Sequence, residues 1–160
     1  MTRQQPFPGP GRRCSPASGK TPARLCVRLA KGHRDAIIGA CDAALPNEGC
    51  GLLLGWRDDA VAEITAVLPA DNTLASPHRY EIAPETVLAA ERRARAAGSL
   101  LLGAWHSHPG GAAIPSAIDR AEAWPDWCTV IVGLAAPGRP ELRAWRLVGE
   151  DFVEDALEIM

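Results

Sequence analysis

A mixed β-sheet flanked by helices, of the α/β (α+β) class, is predicted by three features of the chain. Short apolar runs with strand-like alternation are interleaved with segments of helical spacing, without strict alternation of the two. The 160 residues suffice for one globular domain and not for two. A content of 47% hydrophobic and 22% charged residues is that of an ordinary soluble globular protein, which excludes a disordered chain or a low-complexity fibre.

Residues 1–24 are rich in proline and glycine and lack apolar periodicity, so they are expected to be a disordered tail ahead of a single domain over 25–160. Leu25, Val27 and Leu29 alternate with Cys26 and Arg28 as a short half-buried strand. Ile37, Ile38, Cys41 and Leu45 recur at helical spacing after Gly32, and Pro46 ends that helix. Residues 49–56 form an apolar run suited to a buried strand. Val61–Leu68 reads as its neighbour across a turn at Arg57-Asp58-Asp59. Residues 69–78 are loop by composition. Pro84 opens a helix that closes at Gly98. Ser99–His106 is the next strand, and a helix opens at Ser116. Thr129–Leu134 and Leu142–Val148 are two further strands, joined through Pro137-Gly138-Arg139-Pro140.

Charge narrows the function classes. Arg3, Arg12, Arg13, Lys20 and Arg24 make residues 1–24 net +5, leaving 12 bases against 19 acids (net −7) in the remainder. A uniformly basic reader of nucleic acid is excluded. The longest stretch without a charged residue, Ala96–Ile118, holds His106, His108, two prolines and four glycines, so it is no membrane span. Five scattered cysteines with no Cys-x-x-Cys pair and no secretory h-region predict reduced thiols and a cytoplasmic protein.

The stretch that carries chemistry is Trp105-His106-Ser107-His108-Pro109 followed by Ser116-Ala117-Ile118-Asp119. Residues i and i+2 of a strand share a face, so His106 and His108 can converge on one ion while Ser107 faces away. Pro109 stops the pairing, and Gly110-Gly111 lets the chain turn back and bring Asp119 in as a candidate third ligand. Two imidazoles, a carboxylate and a water make a zinc site with an open position; the donor set also suits iron or manganese. Bland readings exist for each part taken alone. His-x-His occurs on surface strands, Ser-x-x-Asp is an ordinary capping box, and Glu48 could be a solvated turn residue. Cys50 reads as a buried strand thiol. His33 and His78 are expected to be solvated, and Trp105, Trp124, Trp127 and Trp145 to serve packing.

Glu48, then His106-x-His108, seven residues, Ser116, two residues and Asp119 together resemble the signature of the JAMM/MPN (JAB domain) zinc metallopeptidases. The flanking text is similar to the bacterial branch: Glu48-Gly49-Cys50-Gly51-Leu52-Leu53-Leu54-Gly55, Asn72, and Arg79-Tyr80-Glu81-Ile82. The similarity covers roughly residues 25–150. It implies a cytidine-deaminase-like layout with Zn2+ held by His106, His108, Asp119 and a water. Glu48 would be the general base and Ser116 the donor to the oxyanion.

Two strands, a loop and a helix consume the residues between Glu48 and His106, leaving no room for the insertions that eukaryotic relatives use on polyubiquitin. The bacterial relatives act on small ubiquitin-like sulfur-carrier proteins ending in Gly-Gly, in sulfur metabolism. The resemblance therefore implies a peptidase or isopeptidase for the amide after that tail, bound as an added strand at a sheet edge. The alternatives are a zinc amidohydrolase for short peptides or small amides, and a non-catalytic MPN interaction module. A zinc deaminase would need His-x-Glu and Pro-Cys-x-x-Cys, and the chain has neither.

Overall fold

The computed structural model describes residues 23–160. The tail expected over 1–24 lies outside the described residues except for Ala23 and Arg24, which already touch the fold. Arg24 donates to the Glu154 carbonyl, and the Ala23 carbonyl accepts from Arg146.

In chain order the elements are β1 (Cys26–Leu29), α1 (Lys31–Ala44), β2 (Cys50–Arg57), β3 (Val61–Ala70), α2 (Pro84–Ala96), β4 (Leu100–His108), α3 (Ala117–Glu122), β5 (Cys128–Gly133), β6 (Glu141–Val148) and β7 (Asp151–Ile159). The expected mixed sheet and its flanking helices are all present. Gly98, at φ +67°, closes α2 with a left-handed turn that costs glycine nothing. β4 runs two residues past the expected end at His106 and stops at Pro109, whose ring lacks the N–H that pairing needs.

The sheet rolls up. Its order is β1-β3-β2-β4-β5-β6-β7, and it closes because the short β1 pairs in parallel with both β3 and β7. β4 and β5 are also parallel, and the remaining neighbours are antiparallel. β7 is the one strand with no counterpart in the sequence reading. Its middle inward position is Asp155, which breaks the apolar alternation. Asp155 is 2% exposed and is held by Arg146 of β6 through two hydrogen bonds of 2.8 and 3.0 Å.

Apolar packing sits on both faces of the sheet. Inside, Val27, Leu29, Leu53, Ile64, Trp105, Val130 and Val132 pack with Ile37 and Cys41 of α1. Outside, Leu52, Leu54 and Ala104 take Ala90 and Ala94 of α2. Each fully buried aliphatic side chain contributes about 1.5–3 kcal/mol. An extra residue at Leu102, where the β2–β4 register shifts, resets the alternation. Leu102 and Trp105 thereby both reach the inner cluster, although three residues apart. Ala104, His106 and His108 keep the outer face.

Candidate metal centre

His106 and His108 project from the last turn-free residues of β4, where the pleat puts both imidazoles on the outer face. Their Nε2 atoms are 3.1 Å apart. Asp119 reaches them from the first turn of α3, with Oδ1 3.2 Å from His106 Nε2 and Oδ2 3.1 Å from His108 Nε2. The capping box forms as well: Ser116 Oγ accepts from Asp119 N at 3.1 Å, and Ser116 N donates to Asp119 Oδ2 at 2.7 Å. The cap therefore aims the carboxylate. One oxygen closes the helix end while both face the imidazoles.

The triangle of donors fits a small cation. Bonds of about 2.0–2.1 Å at tetrahedral angles put neighbouring donors about 3.3 Å apart, close to the distances found here. His108 Nδ1 lies 2.8 Å from the Ala112 carbonyl, so it carries the proton and leaves the Nε2 lone pair facing inward. The His106 ring is 1% exposed, and burial lowers its pKa and keeps it neutral. Burial works against the charge on Asp119 too, but hydrogen bonds with His106 and His108 outweigh it and hold the carboxyl well below the usual carboxylate range.

Glu48 lies two residues before the start of β2. Cys50 pairs with His106 and Gly51 with Trp105, so the register extended by two residues sets Glu48 across from His108. Its carboxyl is 4% exposed, and Oε2 has no hydrogen-bond partner. Burial pushes its pKa up to about 7, with His108 pulling down and Asp119 pushing up. A group of that pKa both takes and gives protons near neutrality.

Three residues with no assigned role in the sequence reading turn out to build the site. Ser107, facing inward as expected, is fully buried, and its hydroxyl accepts from Gly49 N at 2.9 Å. Asn72 donates to the Glu48 carbonyl at 3.2 Å and to the Arg79 carbonyl at 3.0 Å. Tyr80 stacks on His106. Asn72 and Tyr80 lie in the stretches that resemble the family, and their spacing alone carries no chemistry.

Other residues follow their expected parts with one exception. Cys50 is a buried thiol that donates to the Ala70 carbonyl, and burial raises its pKa to about 12, so it is inert. Trp105 is core, Trp124 and Trp127 stack on each other, and Trp145 Nε1 holds the Ala113 carbonyl at 3.0 Å. His78 is exposed. His33 is half-buried rather than solvated, with Nδ1 enclosed. The expected sheet edge beside the imidazoles is absent, because β4 is paired with β2 on one side and β5 on the other. Cavities of about 360 and 300 Å³ exist, and none of Glu48, His106, His108, Ser116 and Asp119 lines either.

Known proteins share this arrangement of elements. A desampylase from Haloferax volcanii is 35% identical over 134 residues, covering 80% of this chain and 92% of its own. A CysO-cysteine peptidase from Mycobacterium tuberculosis is 29% identical over 116 residues, 72% of this chain and 78% of its own. The solution structure of a Desulfitobacterium hafniense protein superposes with a TM-score of 0.78 at 32% identity, covering 84% of this chain and 92% of that one. The family model for prokaryotic homologs of the JAB domain matches residues 30–148. Those 119 residues run from just before α1 to the end of β6 and include all five residues singled out above, so the chain belongs to the prokaryotic JAB domain family.

Proposed function

We propose that the chain is a zinc metallopeptidase that hydrolyses the amide after the C-terminal Gly-Gly of a small ubiquitin-like sulfur-carrier protein. The observation that carries this reading is the triangle of two Nε2 atoms and one carboxylate with an unpaired, buried glutamate across from it. The names of the relatives, a desampylase and a CysO-cysteine peptidase, support amide cleavage as the reaction.

Zinc, when bound, supplies a Lewis acid that lowers the pKa of water and polarises the scissile carbonyl. His106, His108 and Asp119 hold the ion. Glu48 accepts the proton of the attacking water and delivers it to the leaving amine, a two-way role its raised pKa suits. Ser116 Oγ accepts from Asp119 N, so its own O–H remains to donate to the carbonyl oxygen as charge develops there.

Because β4 has no free side, the proposed path of the substrate tail is a groove walled by the 69–80 loop and the Gly110–Ile114 segment, not an extension of the sheet. Glycines permit the close approach such a groove demands. No described helix is long and apolar enough to cross a membrane, and the unpaired buried thiols Cys41, Cys50 and Cys128 support a reducing, cytoplasmic setting.

Metal analysis combined with an assay on a Gly-Gly-X carrier fusion, with and without a chelator, tests the proposal. One equivalent of zinc and chelator-sensitive release of X are expected, and Asp119→Ala abolishes both. A zinc-loaded chain that ignores every Gly-Gly-X fusion while cleaving unrelated amides overturns the substrate assignment.

A further inference from the structure

The two imidazoles are held by different means. His108 is fixed by a hydrogen bond from Nδ1 to the Ala112 carbonyl. His106 Nδ1 is buried and has no hydrogen-bond partner among the described residues. A histidine that ligates a metal normally donates this second N–H to fix its ring, so behind its Nε2 contacts the ring of His106 is held by packing. Its packing partner is Tyr80, with ring centroids 4.6 Å apart and planes inclined by only 23°. Stacked aromatic pairs of this kind prefer a narrow range of geometries.

The loop that carries Tyr80 is anchored on both sides of the donor triangle. On one side Glu48 N donates to the Ser76 carbonyl at 2.9 Å, and Asn72 Nδ2 donates to the Glu48 and Arg79 carbonyls. Asn72 Oδ1 accepts from Leu74 N and Glu81 N at 3.1 and 3.2 Å, so a single side chain ties the loop together. On the other side the Arg79 guanidinium pairs with Glu122, one helical turn beyond Asp119 on α3. Arg79 and Tyr80 are adjacent, so the ion pair ties the stretch that carries the tyrosine to α3.

We propose that Tyr80 is a positioning residue for His106. Its ring, clamped by the Arg79–Glu122 pair, replaces the missing Nδ1 hydrogen bond and sets how tightly His106, His108 and Asp119 hold a cation. The proposal rests on the metal reading given above. It assigns Tyr80 no contact with substrate and needs only the ring, so the hydroxyl is dispensable.

The experiment is zinc affinity of the apo-chain, measured by competition with a chromogenic chelator, beside the apo-chain's melting temperature. Tyr80→Phe keeps the stack and is expected to stay within about twofold of wild type. Tyr80→Leu removes the aromatic face and is expected to lose roughly 10- to 100-fold in affinity, the range for a lost outer-shell partner, with turnover restored at saturating zinc. Glu122→Gln, at an exposed position that leaves folding intact, frees Arg79 and should lose severalfold. Wild-type affinity in Tyr80→Leu or in Glu122→Gln overturns the proposal, as does a Phe variant as weak as Leu. If Tyr80→Leu does not fold, the Glu122→Gln and Phe arms decide. A wild-type chain that takes up no zinc ends the functional reading instead, whereas zinc binding beside an unimpaired Tyr80→Leu ends only this one.

Discussion

The hydroxyl of Ser107 accepts a hydrogen bond from the backbone N–H of Gly49 at 2.9 Å, on the face of β4 opposite the imidazoles. Ser107 N donates in turn to the Gly49 carbonyl at 2.9 Å. Three contacts therefore fix the residue that follows Glu48: these two bonds, and packing so tight that a Cβ on Gly49 would lie 3.0 Å from the Cys41 Cα. The strand that presents both histidines also sets where the glutamate begins.

Ser107→Ala leaves the Gly49 N–H buried without an acceptor, which costs about 1–3 kcal/mol. Urea melts should show that loss. Turnover should fall further than the fraction unfolded explains, because Glu48 is released while the three donors are untouched. Zinc stoichiometry should be unchanged, and an Ala variant with full stability and full activity would refute this role for Ser107.

Gly133, at the end of β5, lets the 111–113 segment cross over it. A Cβ there would lie 2.5 Å from Ala113 N and 2.8 Å from the Ala112 carbonyl carbon, both backbone atoms that cannot swing aside. Gly133→Ala should therefore push Ala112 off His108 Nδ1 and weaken zinc binding by roughly tenfold, as loss of an outer-shell partner does. Chelator competition on the folded variant reads the effect; undiminished affinity would show that the Ala112 bond does not matter.

The parts of the site that could be read in the chain are the local ones. Strand alternation puts His106 and His108 on one face, and Ser-x-x-Asp makes its cap, whatever the rest of the fold does. The cap also shows why the bland and functional readings of Asp119 did not compete: one carboxylate oxygen serves both. Tyr80 and Ser107 could not be read this way. Their roles depend on which loop lies over His106 and which strand start lies beside β4, and both are set by long-range register.

The same distinction holds for the fold. Barrel closure joins Cys26 to Ala156 across nearly the whole described chain, and four residues of β1 carry no signal of two parallel partners. β7 carries no apolar alternation to read, because a charged residue occupies its core position. Asp155 is a legitimate inward residue only because Arg146 answers it from β6 and Leu25 N donates to it at 2.9 Å.

Removing one member of that pair should show its weight. Asp155→Ala strands the Arg146 guanidinium in a nearly closed site, for which about 3–5 kcal/mol of destabilisation is expected. Replacing both, as Arg146→Leu with Asp155→Leu, should cost much less, since apolar side chains suit the position. Denaturant titrations of the single and double variants compare directly, and equal losses in both would mean that the ion pair is not what holds β7.

Glu48 should also govern how the metal-free chain responds to pH. Its folded pKa of about 7 lies above the ordinary 4.5, so between those values the folded state binds the proton and the unfolded state does not. Stability from this group is therefore present below about pH 4.5 and is lost as pH rises through 7, a span on the order of 3 kcal/mol. His108, also raised, acts in the same direction, and Asp119, held low, acts only in acid. Comparing wild type with Glu48→Gln isolates the Glu48 carboxyl together with its coupling to His108 and Asp119. The apo Gln variant should match wild type near pH 5 and exceed it by pH 8, with the gap opening between pH 5 and 7 in urea melts. The same variant should keep its zinc, since no donor is lost, while its turnover disappears with the base. Parallel stability curves across that range would mean that the Glu48 carboxyl is solvated and ionised throughout, leaving it unfit to shuttle a proton near neutrality.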